Sequence, residues 1–184
     1  MGNDSEVTRN TRNVDISNLM KKHYQKTFKL HGANSLGVDW GQDTSKTKLR
    51  YRKMMEVLEN AEANKVHSIL DVGCGYGGLY QYITQKNLKV DYTGIDLASN
   101  MIDWAKKKNK NAIFIEGNFL DHDFAGKMYD YVICNGILTQ KLKSSMLDMD
   151  RYAKSIIGKM YSLCNKAIAF NVMTTAVNFF APNL

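Results

Sequence analysis

The stretch SILDVGCGYGGLY, residues 68–80, decides how this chain is read. An apolar run climbs to an acid, Asp71, and Gly73, Gly75, Gly77 and Gly78 follow within six positions. A glycine-rich turn directly after a strand lets the backbone approach a ligand closely, because no Cβ stands in the way. The letters GCGYGG satisfy G-x-G-x-x-G, which alone is a weak signal for a dinucleotide. Asp71 sits oddly beside a pyrophosphate, and the identity of the ligand turns on that acid.

Working outward, strands and helices alternate from His67 onward. HSILDV (67–72) reads as a strand and GLYQYITQK (78–86) as a helix. VDYTGID (90–96) is a second strand and ASNMIDWAKKKNK (98–110) a second helix. AIFIE (112–116) and YDYVIC (129–134) follow as strands. A long helix over about 145–164 carries Met149, Tyr152, Ile156, Met160 and Leu163 at spacings of three and four, and AIAFNVM (167–173) is a fifth strand. Such alternation predicts an α/β fold, a doubly wound, mostly parallel sheet flanked by helices.

Upstream, residues 1 to about 14 read as frayed. Ile16, Leu19, Met20, Tyr24 and Phe28 then recur at helical spacing. HGANSLGVDWGQDTS (31–45) is rich in turn residues and holds Trp40. A second helix is expected to put Tyr51, Met54, Met55 and Leu58 on one face.

A chain of 184 residues is large enough for one domain with a real core, and 44% apolar content with one proline fits a globular fold. No apolar run approaches the roughly 20 residues that span a bilayer, and MGNDSEVTRN lacks the apolar core of a signal peptide. Cys74, Cys134 and Cys164 form no C-x-x-C pair. This argues against a disulfide framework or a metal site and leads us to expect a reducing, cytoplasmic setting. The net charge is +7, with one dense cluster at Lys106, Lys107, Lys108 and Lys110. Cations at a helix end complement its dipole, so a soluble lysine-rich surface is the favoured reading over a nucleic-acid partner.

In an open parallel sheet, ligands bind outside the carboxyl ends of the strands, near the switch point. The glycine turn lies there, and so does Asp96, whose carboxylate could accept from both hydroxyls of a ribose. The pair indicates a nucleoside-containing ligand. An acid beneath a pyrophosphate would add repulsion in a partly desolvated site. S-adenosylmethionine has no phosphate and carries a sulfonium and an ammonium, so Asp71 suits it better. A nicotinamide dinucleotide stays as the distant alternative.

Four segments in order, ILDVGCGYGGLY, YTGIDLASNMIDWA, FIEGNFLD and YDYVICNGIL, resemble the successive motifs of class I S-adenosylmethionine-dependent methyltransferases over about residues 67–140. HGANSLGVDWGQDTSKTKLRYRKMMEVL and AIAFNVMTT resemble a little-characterised bacterial branch of that superfamily. The resemblance implies a Rossmann-like sheet, S-adenosylmethionine as cofactor and methyl transfer as the activity. It implies that Asp71, Gly73 and Gly75 line the methionine end of the cofactor. Asp96 would hold the ribose hydroxyls, with Leu97 and Met101 against the adenine. Asn118 stands where the family commonly has an aspartate that accepts from the adenine amino group, and the backbone of Phe119 would face that ring. Cys134, Asn135 and Gly136 would sit near the amino and methyl groups, and Arg50 aligns with an arginine expected to reach the cofactor carboxylate. Tyr76 and Trp40 are weaker candidates for packing on cofactor or substrate, and Cys74 reads as a small turn filler.

The acceptor is less constrained. The sequence after the fourth strand is CNGILT, not the asparagine–proline–proline–aromatic signature of base methylation. A small metabolite or saccharide precursor is the leading expectation, an RNA target or a non-catalytic cofactor-binding module the alternatives. His31, Asp121 and His122 lie near by motif position, and none is assigned as a general base. We expect a lid-like segment over 1–45 and the cofactor domain over 46–184. The superfamily usually has seven strands and only five can be read, without the C-terminal antiparallel hairpin. The expectation is therefore a truncated or incompletely represented domain, or an oligomer that covers the edge of strand five; seven strands would refute it.

Overall fold

Strand and helix periods alternate along the chain, and the computed structural model, which describes residues 3–62 and 64–173, follows that alternation. The strands are β1 (His67–Val72), β2 (Val90–Asp96), β3 (Ile113–Glu116), β4 (Tyr129–Cys134) and β5 (Cys164–Phe170). The helices are α1 (Asn3–His31), α2 (Thr44–Met55), α3 (Gly78–Gln85), α4 (Ser99–Lys108) and α5 (Met146–Ser162). All pairings are parallel and the order is β3-β2-β1-β4-β5. The chain leaves β1 towards β2 on one side and returns to β4 on the other, so the switch point lies above the carboxyl end of β1.

Successive strand residues point to opposite faces, and each face builds its own core. Leu70, Val72, Ile95, Val132 and Cys134 pack with Ile16 and Met20 of α1 and with Tyr152, Ile156 and Met160 of α5. Ile69, Tyr92, Tyr131 and Ile133 pack with Tyr51 of α2, Leu79 and Ile83 of α3, and Ile102 of α4. Both faces of the central strands are thus dry, which is why β1 and β4 read as near-continuous apolar runs.

Three segments differ from the sequence reading. α1 begins at Asn3, well before the apolar stripe that starts at Ile16, because nothing between them breaks a helix. α2 ends at Met55 and passes into a 3-10 turn, Glu56–Leu58, so Leu58 lies beyond the α-helix but still packs against the cluster of Tyr51 and Met54. β5 starts three residues before AIAFNVM: the Tyr129 N–H donates to Leu163 O at 2.9 Å, and Tyr129 pairs with Cys164. It stops at Phe170, where Asn171 turns its side chain to accept the Gly136 N–H at 2.8 Å. Among the described residues β5 pairs with β4 alone, so its outer edge is open. Residues 174–184 lie outside the described residues.

Candidate functional site

β1 and β2 bring two carboxylates to the carboxyl edge of the sheet. Asp71 is 2% exposed, and its Oδ2 accepts a hydrogen bond from Tyr92 Oη. The register explains the contact: Tyr92 pairs with Ile69, two residues before Asp71 and on the same face. Burial pushes the Asp71 carboxyl up to about 7; the Tyr92 hydrogen bond opposes that rise and the charge of Asp96 adds to it. Among the described residues, no basic side chain forms an ion pair with Asp71.

Asp96, the last residue of β2, accepts the Gly75 N–H at Oδ2 and the Ala98 N–H at Oδ1, both at 2.8 Å. Burial raises its carboxyl above the ordinary range, against the pull of these backbone donors. A carboxylate has about four acceptor positions; the backbone of Leu97 also contributes a hydrogen bond, and Asp96 keeps acceptor capacity where it lines the cleft. Between the acids, Gly73 holds φ +74°, and a Cβ there would strike Ile137. That close approach leaves the turn open to a ligand above it.

The cleft over this turn encloses about 880 Å³, part of it open to solvent. Asp71, Gly73, Gly75 and Asp96 line it. Leu97, Met101, Asn118 and Phe119 form its far wall. Asn118 closes its own turn: Oδ1 accepts the Leu120 N–H at 3.2 Å and Nδ2 donates to Asp121 Oδ2 at 2.6 Å. One lone pair of its oxygen is left for a ligand. Asn135 and Gly136 complete the near wall after β4. Asn135 is 7% exposed, and neither amide atom has a hydrogen-bond partner. Gly136 holds φ +105°, and a Cβ on it would come 3.0 Å from Trp40 Nε1.

Two residues expected here stand outside the lining. Cys134 is packed in the core between sheet, α1 and α5, where burial pushes its thiol up. Arg50 lies against Trp40, its guanidinium carbon 4.9 Å from the ring centroid. Its Nη1 is buried without a partner, and burial lowers its pKa.

Trp40 and Tyr76 do line the cleft, although Tyr76 also stacks on Phe28 and meets Trp104 edge-on. Cys74 fits the turn-filler reading: its Sγ packs against Gly94, and burial pushes its thiol well up. His31, Asp121 and His122 do not line the cleft.

The sequence reading missed the roof and one side wall. Met20, Lys21 and Tyr24 of α1 and Tyr152 and Ile156 of α5 face the same space. Lys21 apart, their spacing marks them as apolar stripes, and nothing local distinguishes a stripe that packs from one that faces a cleft. A polar constellation was missed too. His23 Nε2 lies 2.9 Å from Asp39 Oδ2, and Gln140 Nε2 donates to the same oxygen at 3.0 Å. It ties α1, the loop after it and the segment after β4 together.

Residues 69–155 match the family described as Methyltransferase domain. The chain is 31% identical over 111 residues to "Putative methyltransferase Rv1506c" of Mycobacterium tuberculosis, covering 59% of this chain and 64% of that protein. It is 28% identical over 118 residues to the malonyl-[acyl-carrier protein] O-methyltransferase of Priestia megaterium, covering 64% of this chain and 40% of that one. The chain therefore spans less than two thirds of either relative. Magnesium protoporphyrin IX methyltransferase from Synechocystis, solved with bound S-adenosylhomocysteine, shares the fold at a TM-score of 0.59 and 17% identity, over 83% of this chain and 68% of that one. Among the described residues no helix is long and apolar enough to cross a membrane, and no cluster of His, Cys, Asp and Glu is placed to hold a metal ion.

Proposed function

The chain belongs to the class I S-adenosylmethionine-dependent methyltransferase superfamily, and from that premise we propose that it binds S-adenosylmethionine over β1 and methylates a small molecule. The observation that carries this is Asp71: a buried carboxylate, with no ion-pairing basic side chain among the described residues, at the foot of a glycine turn, one strand from Asp96. A cationic nucleoside fits that pair, and a pyrophosphate does not.

When bound, the cofactor supplies a methyl group already activated on a sulfonium. The chain's own residues bind, orient and keep water out. Asp71 balances the ammonium, and Gly73 and Gly75 let the backbone come close. Asp96 accepts from the ribose hydroxyls while it fixes the turn through Gly75 N–H. Leu97 and Met101 pack against the adenine, Asn118 offers its remaining lone pair, and the backbone of Phe119 faces the ring. Asn135 supplies an amide with both ends free beside Gly136, near the reacting methyl group. Residues 46–184 form the cofactor unit, and residues 1–45 act as its lid through Met20, Tyr24 and Trp40. The apolar and aromatic roof supports a small acceptor with an apolar portion.

Calorimetric titration with S-adenosylmethionine, S-adenosylhomocysteine and NAD tests the reading. The first two should bind and the third should not; an acceptor screen follows. Binding of NAD alone would refute the argument from Asp71.

A further inference from the structure

The sequence motifs account for Asp71 but not for the residue that touches it. Tyr92 lies on β2, 1% exposed, and its hydroxyl donates to Asp71 Oδ2. Its ring packs against Tyr80 and Phe114, at 5.0 and 5.8 Å between centroids, and those two rings also touch each other. The packed cluster fixes where the hydroxyl points, and among the described residues no other side chain donates a hydrogen bond to that carboxylate.

We propose that Tyr92 is a positioning residue that keeps Asp71 ionised and aimed at the ammonium of the cofactor, and that it thereby sets the acid limit of cofactor binding. This rests on the function proposed above. The titratable groups around Asp71 are Asp96 on the same edge, Cys74 in the turn, Tyr51 from α2 and Cys134 from β4. All are acids, so none favours the charge on Asp71. Tyr92 alone does so, by donating a charge-assisted hydrogen bond in a dry site. Without ligand, burial holds the Asp71 carboxyl up at about 7. A cationic ligand must then displace a proton as it binds near or below neutral pH.

The test is the affinity for S-adenosylhomocysteine from pH 5.5 to 9, measured by calorimetry in buffers of different ionisation enthalpy. Methylthioadenosine, which lacks the amino-acid end, is the control. The parent chain should release protons and weaken below about pH 7 with the first ligand, and show no such limb with the second. Tyr92→Phe keeps the aromatic stack and should move the acid limb up by about one to two pH units, the equivalent of one charge-assisted hydrogen bond. The ligand's own amine sets the alkaline limb and should not move. Asp71→Asn should bind weakly with no acid limb, which tests the site even if Tyr92→Phe folds poorly. Equal weakening of Tyr92→Phe at every pH, or binding by the parent with no acid limb, overturns this inference and leaves the proposed function standing. A parent chain that binds no S-adenosylhomocysteine at any pH overturns both.

Discussion

The N–H of Gly75 donates to Asp96 Oδ2 at 2.8 Å, so the turn after β1 is fixed by the last side chain of β2. One carboxylate shapes the turn and also faces the cleft that the turn opens. Shape and recognition at this site are therefore coupled.

Asp96→Ala removes the acceptor of two backbone donors as well as the proposed ribose contact. Charge-assisted hydrogen bonds contribute roughly 1.5 to 3 kcal/mol each. Affinity for S-adenosylhomocysteine should fall at least several-fold by calorimetry, and the amides of Gly75 and Ala98 should shift in NMR spectra of the ligand-free chain. Parental affinity in this variant would remove Asp96 from the site.

Asp71 gives a stability prediction with a definite sign. Its folded value, about 7, lies above its ordinary 3.8. Between those values the folded chain binds more protons than the unfolded one, so its contribution to stability falls as pH rises through that window. Asp71→Asn removes the buried charge. Without ligand, the variant should melt a few degrees above the parent at pH 8, and the gap should close towards pH 5, where Asp71 is itself protonated. The gain comes at the expense of cofactor affinity, as is common where a site is held unstable for function. A gap of the same size at both pH values would show that the charge of Asp71 is not its cause.

The sheet was legible because buried parallel strands advertise themselves: the limits of β1, β2 and β4 match HSILDV, VDYTGID and YDYVIC residue for residue. β5 was read as a strand but three residues late, as 167–173, because it is only half buried and Asn165 and Lys166 near its start carry no apolar signal. The acids and glycines of the cleft were legible because their chemistry is local to two strand ends. Tyr92 was not, because only the β1–β2 register puts its hydroxyl against an acid 21 residues away. Cys134 and Arg50 follow the same logic in reverse. Each lies close to the site in sequence order, yet Cys134 is buried in the core and Arg50 packs on the Trp40 ring.

Arg50 still carries a testable role. A buried guanidinium nitrogen without a partner is costly, and a ligand carboxylate would satisfy it. Arg50→Met should lower affinity for S-adenosylhomocysteine about tenfold, in line with one charge-assisted bond, and leave methylthioadenosine binding unchanged. Equal loss for both ligands would mean that Arg50 acts only by packing on Trp40.

The His23–Asp39–Gln140 constellation predicts how the lid is held. Asp39 sits at φ +57°, a left-handed conformation uncommon for non-glycine residues and one that Asp adopts more readily than most. His23 from α1 and Gln140 from beyond β4 both bond its Oδ2, while Thr27 Oγ donates to Gly37 O at 2.9 Å from the same helix. The side chains of His23 and Asp39 are 29% and 38% exposed, so solvent screens the pair, and the loss from His23→Ala should stay below about 1 kcal/mol in global unfolding. The local effect should be larger, because the clasp closes a surface loop whose release costs the sheet nothing. Chymotrypsin should cut at Leu36 or Trp40 several-fold faster in His23→Ala and faster again in the double variant with Gln140→Ala. If the loop closes over the cofactor, saturating S-adenosylhomocysteine should restore most of the protection. Parental cleavage rates in both variants would mean that packing of Trp40 against Gly136, and not the clasp, holds this loop in place.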